Sequence, residues 1–173
     1  MFRPVEDPEA AAAATARASR ILDGARGFSR EWLEASARVA VPEETGLHLD
    51  ADQRSRLVGA LRGAGVTALV AVAAEPLRGA PTVFTLDASD ADLAAFSHEC
   101  GALAFVLLPR TGDGLAVLCS TLDYLLVAGP RPFVSAYAGD LSRAREAFLA
   151  YVEDHVESAR PALRGVVGHF DDL

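Results

Sequence analysis

The fold is decided by a stretch that reads ALAFVLLPR (102–110), TGDG (111–114), LAVLCST (115–121), LD (122–123) and YLLVA (124–128). Three apolar runs alternate with turn residues, a pattern that is typical of a buried antiparallel meander. Gly112, Asp113 and Gly114 tolerate positive φ values, so they predict a tight hairpin between the first two runs. Both of those runs are almost wholly apolar, so we expect the sheet to be covered on much of both faces.

The N-terminal region predicts helices. Asp7, Pro8 and Glu9 form a helix start, with Asp7 as the N-cap. From there to residue 39, apolar residues recur at spacings of three and four, which places them on one helical stripe. Glycines at 24 and 27 interrupt the stripe and Ser29 can cap a restart. One long helix and two helices that share a face both fit. The stripe packs either on the sheet or against a second copy of the chain.

Beyond residue 50 the predicted element order is α-β-β-α-β-β-β-α. Because sequential strands usually neighbour one another, this order predicts an α+β fold with one mainly antiparallel, five-stranded sheet. In element order alone, the chain resembles PAS, GAF, profilin and roadblock-type domains. We divide it into an N-terminal helical extension (1–42), an α+β core domain (43–160) and a C-terminal tail (161–173).

Composition excludes several kinds of chemistry. The chain has 173 residues and a formal net charge of −8, and it contains neither lysine nor asparagine. This bias indicates a GC-rich bacterial genome. Without lysine there can be no P-loop lysine, no Schiff-base lysine and no kinase-type strand lysine.

Charge and hydropathy also limit the partners and the compartment. An acidic chain argues against nucleic acid, since nucleic-acid binding depends on clustered basic residues. No apolar run approaches the roughly 18 residues of a membrane span, and the acidic start of the chain does not resemble a secretory signal. With only Cys100 and Cys119 available for disulfides, we expect a cytoplasmic protein.

The tripeptide His98-Glu99-Cys100 superficially resembles a metal-binding motif. It lacks the second histidine of a zincin motif and the cysteine pair of a zinc deaminase. Consecutive helical residues point about 100° apart, so the three side chains cannot face one ion from an intact helix. We therefore expect no metal site here, and no cofactor.

Two groups of residues are candidates for ligand or partner binding. Gly129 and Arg131 stand where a strand ends and a helix begins, an arrangement that can hold an anion, and Tyr124 opens the adjacent strand. Phe28 and Trp32 lie in the apolar stripe, where they suggest a surface for a homodimer. No catalytic residue is assigned.

These observations predict a cytoplasmic, acidic, non-enzymatic binding module of adaptor, regulatory or immunity-protein type, which acts through protein contacts. The first alternative is a small-molecule sensor with a pocket between the sheet and the helix at residues 89–100. The second alternative is an enzyme of unrecognised type, because a spatially assembled active site leaves no local motif.

Overall fold

The computed structural model describes residues 1–75, 81–154 and 160–168. These residues form an α+β fold with one antiparallel sheet. The strands are β1 (Arg3–Pro4), β2 (Val39–Glu44), β3 (Ala68–Ala73), β4 (Val83–Asp87), β5 (Phe105–Pro109), β6 (Ala116–Cys119) and β7 (Tyr124–Gly129). The helices are α1 (Pro8–Ile21), α2 (Arg30–Glu34), α3 (Ala51–Gly63), α4 (Asp90–Cys100), α5 (Arg131–Ala138), α6 (Leu141–Asp154) and α7 (Arg160–Gly168).

The sheet has the strand order β1-β4-β3-β5-β6-β7-β2, and every pair is antiparallel. The predicted count of five strands is wrong, because the described residues contain seven. The predicted meander is present as β5, β6 and β7. Gly112 has a φ of 76°, in the region that favours glycine. However, residues 110–115 connect β5 to β6, so the connection is longer than a two-residue hairpin.

Helices cover both faces of the sheet, as the apolar character of the meander predicts. Alternate residues of each strand point to opposite faces. In β5, for example, Val106 packs into one core and Phe105 into the other. The first core also receives buried residues of α1, α2, α6 and α7, and the second receives those of α3, α4 and α5. No described helix is long and apolar enough to cross a membrane.

The N-terminal stripe forms two separate helices. The predicted caps are present, since the side chain of Asp7 accepts a hydrogen bond from the backbone N–H of Glu9 and that of Ser29 accepts one from Trp32. Both helices bury residues in the first core, among them Ile21 and Leu33. This stripe therefore packs on the sheet of its own chain.

Strand β2 is an edge strand that the sequence pattern did not predict. Its first residues continue the 3-4 spacing of the helical stripe, and Pro42 indicated the end of a helical region. Pro42 is nevertheless paired with Leu126 of β7. The backbone N–H of Thr45 donates to the carbonyl of Asp123 at 2.9 Å, so odd-numbered residues of β2 face β7 in the ladder. The missing N–H of Pro42 consequently falls on the outer edge, where proline is tolerated. The division after residue 42 falls inside this strand.

Two helices follow β7 before the chain reaches residue 155. Gly139, with a φ of 71°, separates α5 from α6. Helix α6 lies along β2, and its residues Phe148 and Val152 are buried in the first core. The tail assigned to residues 161–173 contains most of α7, which buries Leu163 and Val166 in the same core; residues 169–173 lie outside the described part. The final predicted helix extended to His155, which also lies outside the described part.

Candidate functional site

A surface groove of about 810 Å³ runs beside the sheet edge formed by β2. It is bounded by β2, by α3, by the α5–α6 junction and by the first turns of α6. Its lining residues are Val41, Pro42, Glu43, Glu44, Asp52, Arg56, Tyr137, Ala138, Asp140, Arg143, Ala144, Ala147 and Phe148. These residues come from four separate parts of the chain.

The groove has an apolar floor and charged walls. Val41, Pro42, Tyr137 and Phe148 are buried and form the floor. The exposed lining residues are Glu44, Asp52, Asp140, Arg143 and Ala147. Floor and walls together provide the combination of apolar contact and a few polar groups that is typical of a binding site.

A polar network centred on Arg56 holds β2, α3 and α5 together at one end of the groove. The guanidinium of Arg56 forms a bidentate pair with the carboxylate of Glu43, and its Nε donates to Asp52 at 2.8 Å. The hydroxyl of Tyr137 donates to the second oxygen of Glu43. Arg56 also stacks on the Tyr137 ring, with 4.7 Å between the guanidinium carbon and the ring centroid. Each partner thus fixes the orientation of the others.

The pKa values in this network are shifted by burial and by charge. Burial is the largest influence on Arg56 and lowers its pKa, but the hydrogen bonds to Glu43 and Asp52 outweigh it and leave the pKa raised. Burial raises the pKa of Tyr137, and the neighbouring Glu43 carboxylate raises it further. At neutral pH the arginine is therefore charged and the phenol is protonated, which is the state that this network requires.

The remaining charges of the groove are available to a ligand. Within the described ranges, the side chains of Glu44 and Arg143 make neither an ion pair nor a hydrogen bond. Asp140 accepts a hydrogen bond from the backbone N–H of Arg143 at 3.0 Å, so it caps the first turn of α6. It makes no ion pair among the described residues. These three charged side chains line the open volume and make no ion pair with any described residue, although Asp140 also caps α6.

Three of the five residues predicted as binding residues lie inside the protein. Phe28 and Tyr124 are fully buried, and Trp32 is 8% exposed. The indole N–H of Trp32 donates to the carbonyl of Asp113 at 3.0 Å, and the Tyr124 hydroxyl donates to that of Arg26 at 2.6 Å. The three rings therefore belong to the core of their own chain, and their predicted contact with a ligand or a partner stays a prediction.

The other two predicted residues lie near the start of α5 and outside the groove. Gly129 is the last residue of β7, and a Cβ atom built there would stand 2.8 Å from the Cβ of Leu115. This close packing explains the glycine without a ligand. Arg131 is the first residue of α5 and is exposed. Tyr124 is buried, so neither Gly129 nor Arg131 forms an open site with it.

The space between α4 and the sheet, where a sensor pocket was expected, is filled. A cavity of about 20 Å³ remains there, lined by Cys100 and Cys119 among others, and this is room for about one water molecule. Burial raises the pKa of Cys100 to about 11 and that of Cys119 to about 12. Both are therefore protonated thiols and poor nucleophiles near neutral pH.

The tripeptide His98-Glu99-Cys100 lies at the C-terminal end of α4. His98 and Glu99 are exposed and Cys100 is buried, so the three side chains point in different directions, as the helical geometry predicts. His98 lies beside His48, with 5.6 Å between ring centroids. In the described part of the chain, no group of three or more His, Cys, Asp or Glu side chains is arranged to hold a metal ion.

Sequence patterns missed the groove residues because no local motif connects them. Glu43 and Arg56 are thirteen positions apart in the chain and approach only when β2 joins the sheet edge. Tyr137 lies a further 81 positions beyond Arg56 in the chain. One local pattern does indicate the groove. Alanines at 144 and 147 lie on one side of α6, and a helix face that packs against a neighbour usually carries larger apolar residues.

No protein-family model matches this chain, and no curated protein or solved structure matches it either. The structure defines the chain as an α+β protein with a single antiparallel sheet. Any functional assignment therefore depends on the geometry of the groove.

Proposed function

We propose that the protein is a non-enzymatic binding module of adaptor, regulatory or immunity-protein type, and that the groove beside β2 is its contact surface for another protein. The observation that carries this proposal is a set of three charged side chains, Glu44, Asp140 and Arg143, that form no ion pair within the described part of the chain and surround an apolar floor. Charged side chains that the fold leaves unpaired beside buried apolar residues resemble the rim and the core of a protein interface.

The exposure of the groove walls favours a protein partner over a small molecule. Small-molecule sites usually bury most of the ligand surface. Here five lining residues are exposed, and they are distributed over β2, α3, α6 and the turn before α6. A segment of a second protein can contact all of these walls at once.

A small-molecule sensor remains the second candidate, on one observation. The volume of about 810 Å³ lies within the range of roughly 300–1,000 Å³ that is common for small-molecule sites. Its pocket would then be this groove and not the filled space under α4. An enzyme has less support. The described lining includes no Ser, Thr, Cys or His, and of its four carboxylates, which could act as a nucleophile or a base, Glu43 and Asp52 are paired with Arg56.

The proposal extends to the compartment and to self-association. We place the protein in the cytoplasm, and its two unpaired cysteines support this. A homodimer would have to use a surface other than Phe28 and Trp32. The likeness in element order to PAS, GAF, profilin and roadblock-type domains stays an analogy of architecture and does not fix a function.

A photo-crosslinking amino acid at Ala147 tests the proposal. Ala147 is exposed on the groove wall, and Ala13, exposed on the equally long helix α1, is the matched control. Both forms are irradiated in cells of the natural host, and the products are measured by intact mass spectrometry. We expect an adduct of protein size at position 147 and none at position 13. A small-molecule adduct at 147 would favour the sensor, and equal labelling at both positions would contradict the proposal.

A further inference from the structure

The charges of the groove define the chemistry of its occupant. The lining contains four carboxylates (Glu43, Glu44, Asp52 and Asp140) and two guanidiniums (Arg56 and Arg143). Arg56 is already held by Glu43 and Asp52. The groove is therefore net negative, and Glu44 and Asp140 make no ion pair with any described residue.

We infer that the groove binds a basic segment of another protein, which places arginine or lysine side chains against Glu44 and Asp140. This inference rests on the proposed function and names the partner's chemistry. The chain as a whole carries a formal charge of −8, so the field outside the groove attracts the same partner. Arg143 on the same wall, which forms no ion pair with a described residue, donates to a carbonyl or carboxylate oxygen of that segment and fixes its position.

The outer edge of β2 indicates how the segment binds. The positions whose backbone groups point away from β7 are the even-numbered ones. At position 42 a proline has no N–H to donate. At position 44 the carbonyl is already occupied, because Nε2 of Gln53 donates to the backbone oxygen of Glu44 at 2.8 Å.

Strand addition at β2 would therefore lack much of its hydrogen bonding. In addition, α6 lies along this strand and covers part of its edge. The segment is consequently recognised through its side chains, by charge pairs at the walls and apolar contact at the floor, and not as an eighth strand of the sheet.

A random peptide library displayed on phage is the probe that tests this inference. The full-length wild-type chain is immobilised, and enriched peptides are sequenced, synthesised and titrated. We expect peptides with a net positive charge and at least two Arg or Lys residues. Their affinity should fall about tenfold, or about 1.4 kcal/mol, in Glu44→Arg/Asp140→Arg.

Three further variants test whether the loss of affinity comes from the groove itself. Glu6→Arg/Glu9→Arg makes the same change in net charge at exposed positions outside the groove, and it should leave most of the affinity intact. Ala147→Phe fills the groove from an exposed position and should also weaken binding. Pro42→Val restores the missing N–H on the edge of β2 and should have little effect.

The inference is overturned if the library yields no binder, if enriched peptides are neutral or acidic, or if both double variants lose affinity equally. A large gain in affinity in Pro42→Val would contradict recognition through side chains. If the crosslinker at Ala147 captures a protein but the selected peptides are not basic, the binding module stands and only the basic occupant fails. If neither experiment detects binding at the groove, the proposed function fails with it.

Discussion

Two spaces between helices and the sheet differ in how completely side chains fill them. Under α4, the ring of Phe96 packs edge-on against that of Phe105, with 5.5 Å between centroids, and Phe2 and Phe84 complete the cluster. About 20 Å³ is left empty there. Beside β2, the helices α5 and α6 present alanines and charged side chains to the sheet edge, and about 810 Å³ stays open.

Side-chain volume, and not the arrangement of helices and sheet, therefore decides which of the two spaces stays open. Four aromatic rings fill one space and contribute apolar burial to stability. In the other, Ala138, Ala144 and Ala147 leave volume that the charged walls do not fill. Gly101 extends the contrast, because a Cβ there would lie only 2.1 Å from the carbonyl oxygen of Leu47. The region around α4 is closely packed.

The largest expected effect is the loss of an aromatic ring under α4. Phe105 is fully buried between α4 and the sheet. Phe105→Ala should lower the free energy of unfolding by about 3–5 kcal/mol, because it removes buried apolar area and leaves a cavity. Urea denaturation measures this, with Leu149→Ala, at a 40% exposed position of α6, as the control. A loss below about 0.5 kcal/mol for Phe105→Ala would mean that the sheet is placed wrongly.

The next effect concerns the network that shapes the groove. Tyr137→Phe removes a hydrogen bond to a charged acceptor, Glu43, and should cost about 1.5–3 kcal/mol. Tyr124→Phe removes one to a neutral carbonyl, that of Arg26, and should cost about 0.5–1.5 kcal/mol. Both rings are buried, so the two variants compare loss of a hydrogen bond to a carboxylate with loss of one to a backbone carbonyl. Equal losses in the same denaturation assay would argue against a strengthened hydrogen bond between Tyr137 and Glu43.

Inserting the same ring into both spaces tests the contrast directly. Cys100→Phe places a ring beside the small cavity under α4 and should cost about 1–3 kcal/mol through overpacking. Ala147→Phe places a ring in the open groove, where the change should stay within about 0.5 kcal/mol. Thermal unfolding of the two variants compares them. If Ala147→Phe is the more destabilising, the groove is not open in solution.

A smaller effect appears at alkaline pH. Burial and the Glu43 carboxylate raise the pKa of Tyr137 above its usual value near 10. The folded chain then keeps the phenol proton at pH values where the unfolded chain releases it. The resulting stabilisation is complete below pH 10 and is lost as the pH rises above that value.

The cost of Tyr137→Phe should therefore shrink above pH 10, by at most about 1.4 kcal/mol for each pH unit. Chemical denaturation of both proteins from pH 8 to pH 11 measures it. Both proteins retain Cys100 and Cys119, whose thiols contribute equally to the two curves. A cost that grows with pH would have the wrong sign and would contradict the burial of an un-ionised phenol.

A structural feature could be predicted from the sequence when the residues that determine it are close together in the chain. The meander, the helix caps at Asp7 and Ser29 and the coverage of both faces follow from local signals, which are short apolar runs, turn residues and capping residues. The edge strand β2 was missed because its residues continue a helical spacing and because Pro42 resembles a break. Proline is acceptable there because the backbone groups of position 42 face away from β7, and this follows only from the hydrogen-bond pattern of the sheet.

The candidate site was not predictable for a related reason. Phe28 and Trp32 formed an apolar stripe, and a stripe alone does not tell whether it packs on the same chain or on another. The groove depends on the meeting of Glu43, Arg56 and Tyr137, which are far apart in sequence. Their residue types carry no motif, so only the tertiary fold indicates that they form one network.

The most direct test of the groove is a titration of the ¹⁵N-labelled chain with the tightest-binding peptide from the library, followed by amide chemical shifts. We predict that the largest shift changes fall on Glu44, Asp52, Asp140 and Arg143, with little change around α4. Since the peptide is selected on the whole chain, nothing in the selection favours this surface. Shift changes centred on α4 or on α1, with the groove residues unaffected, would contradict the account.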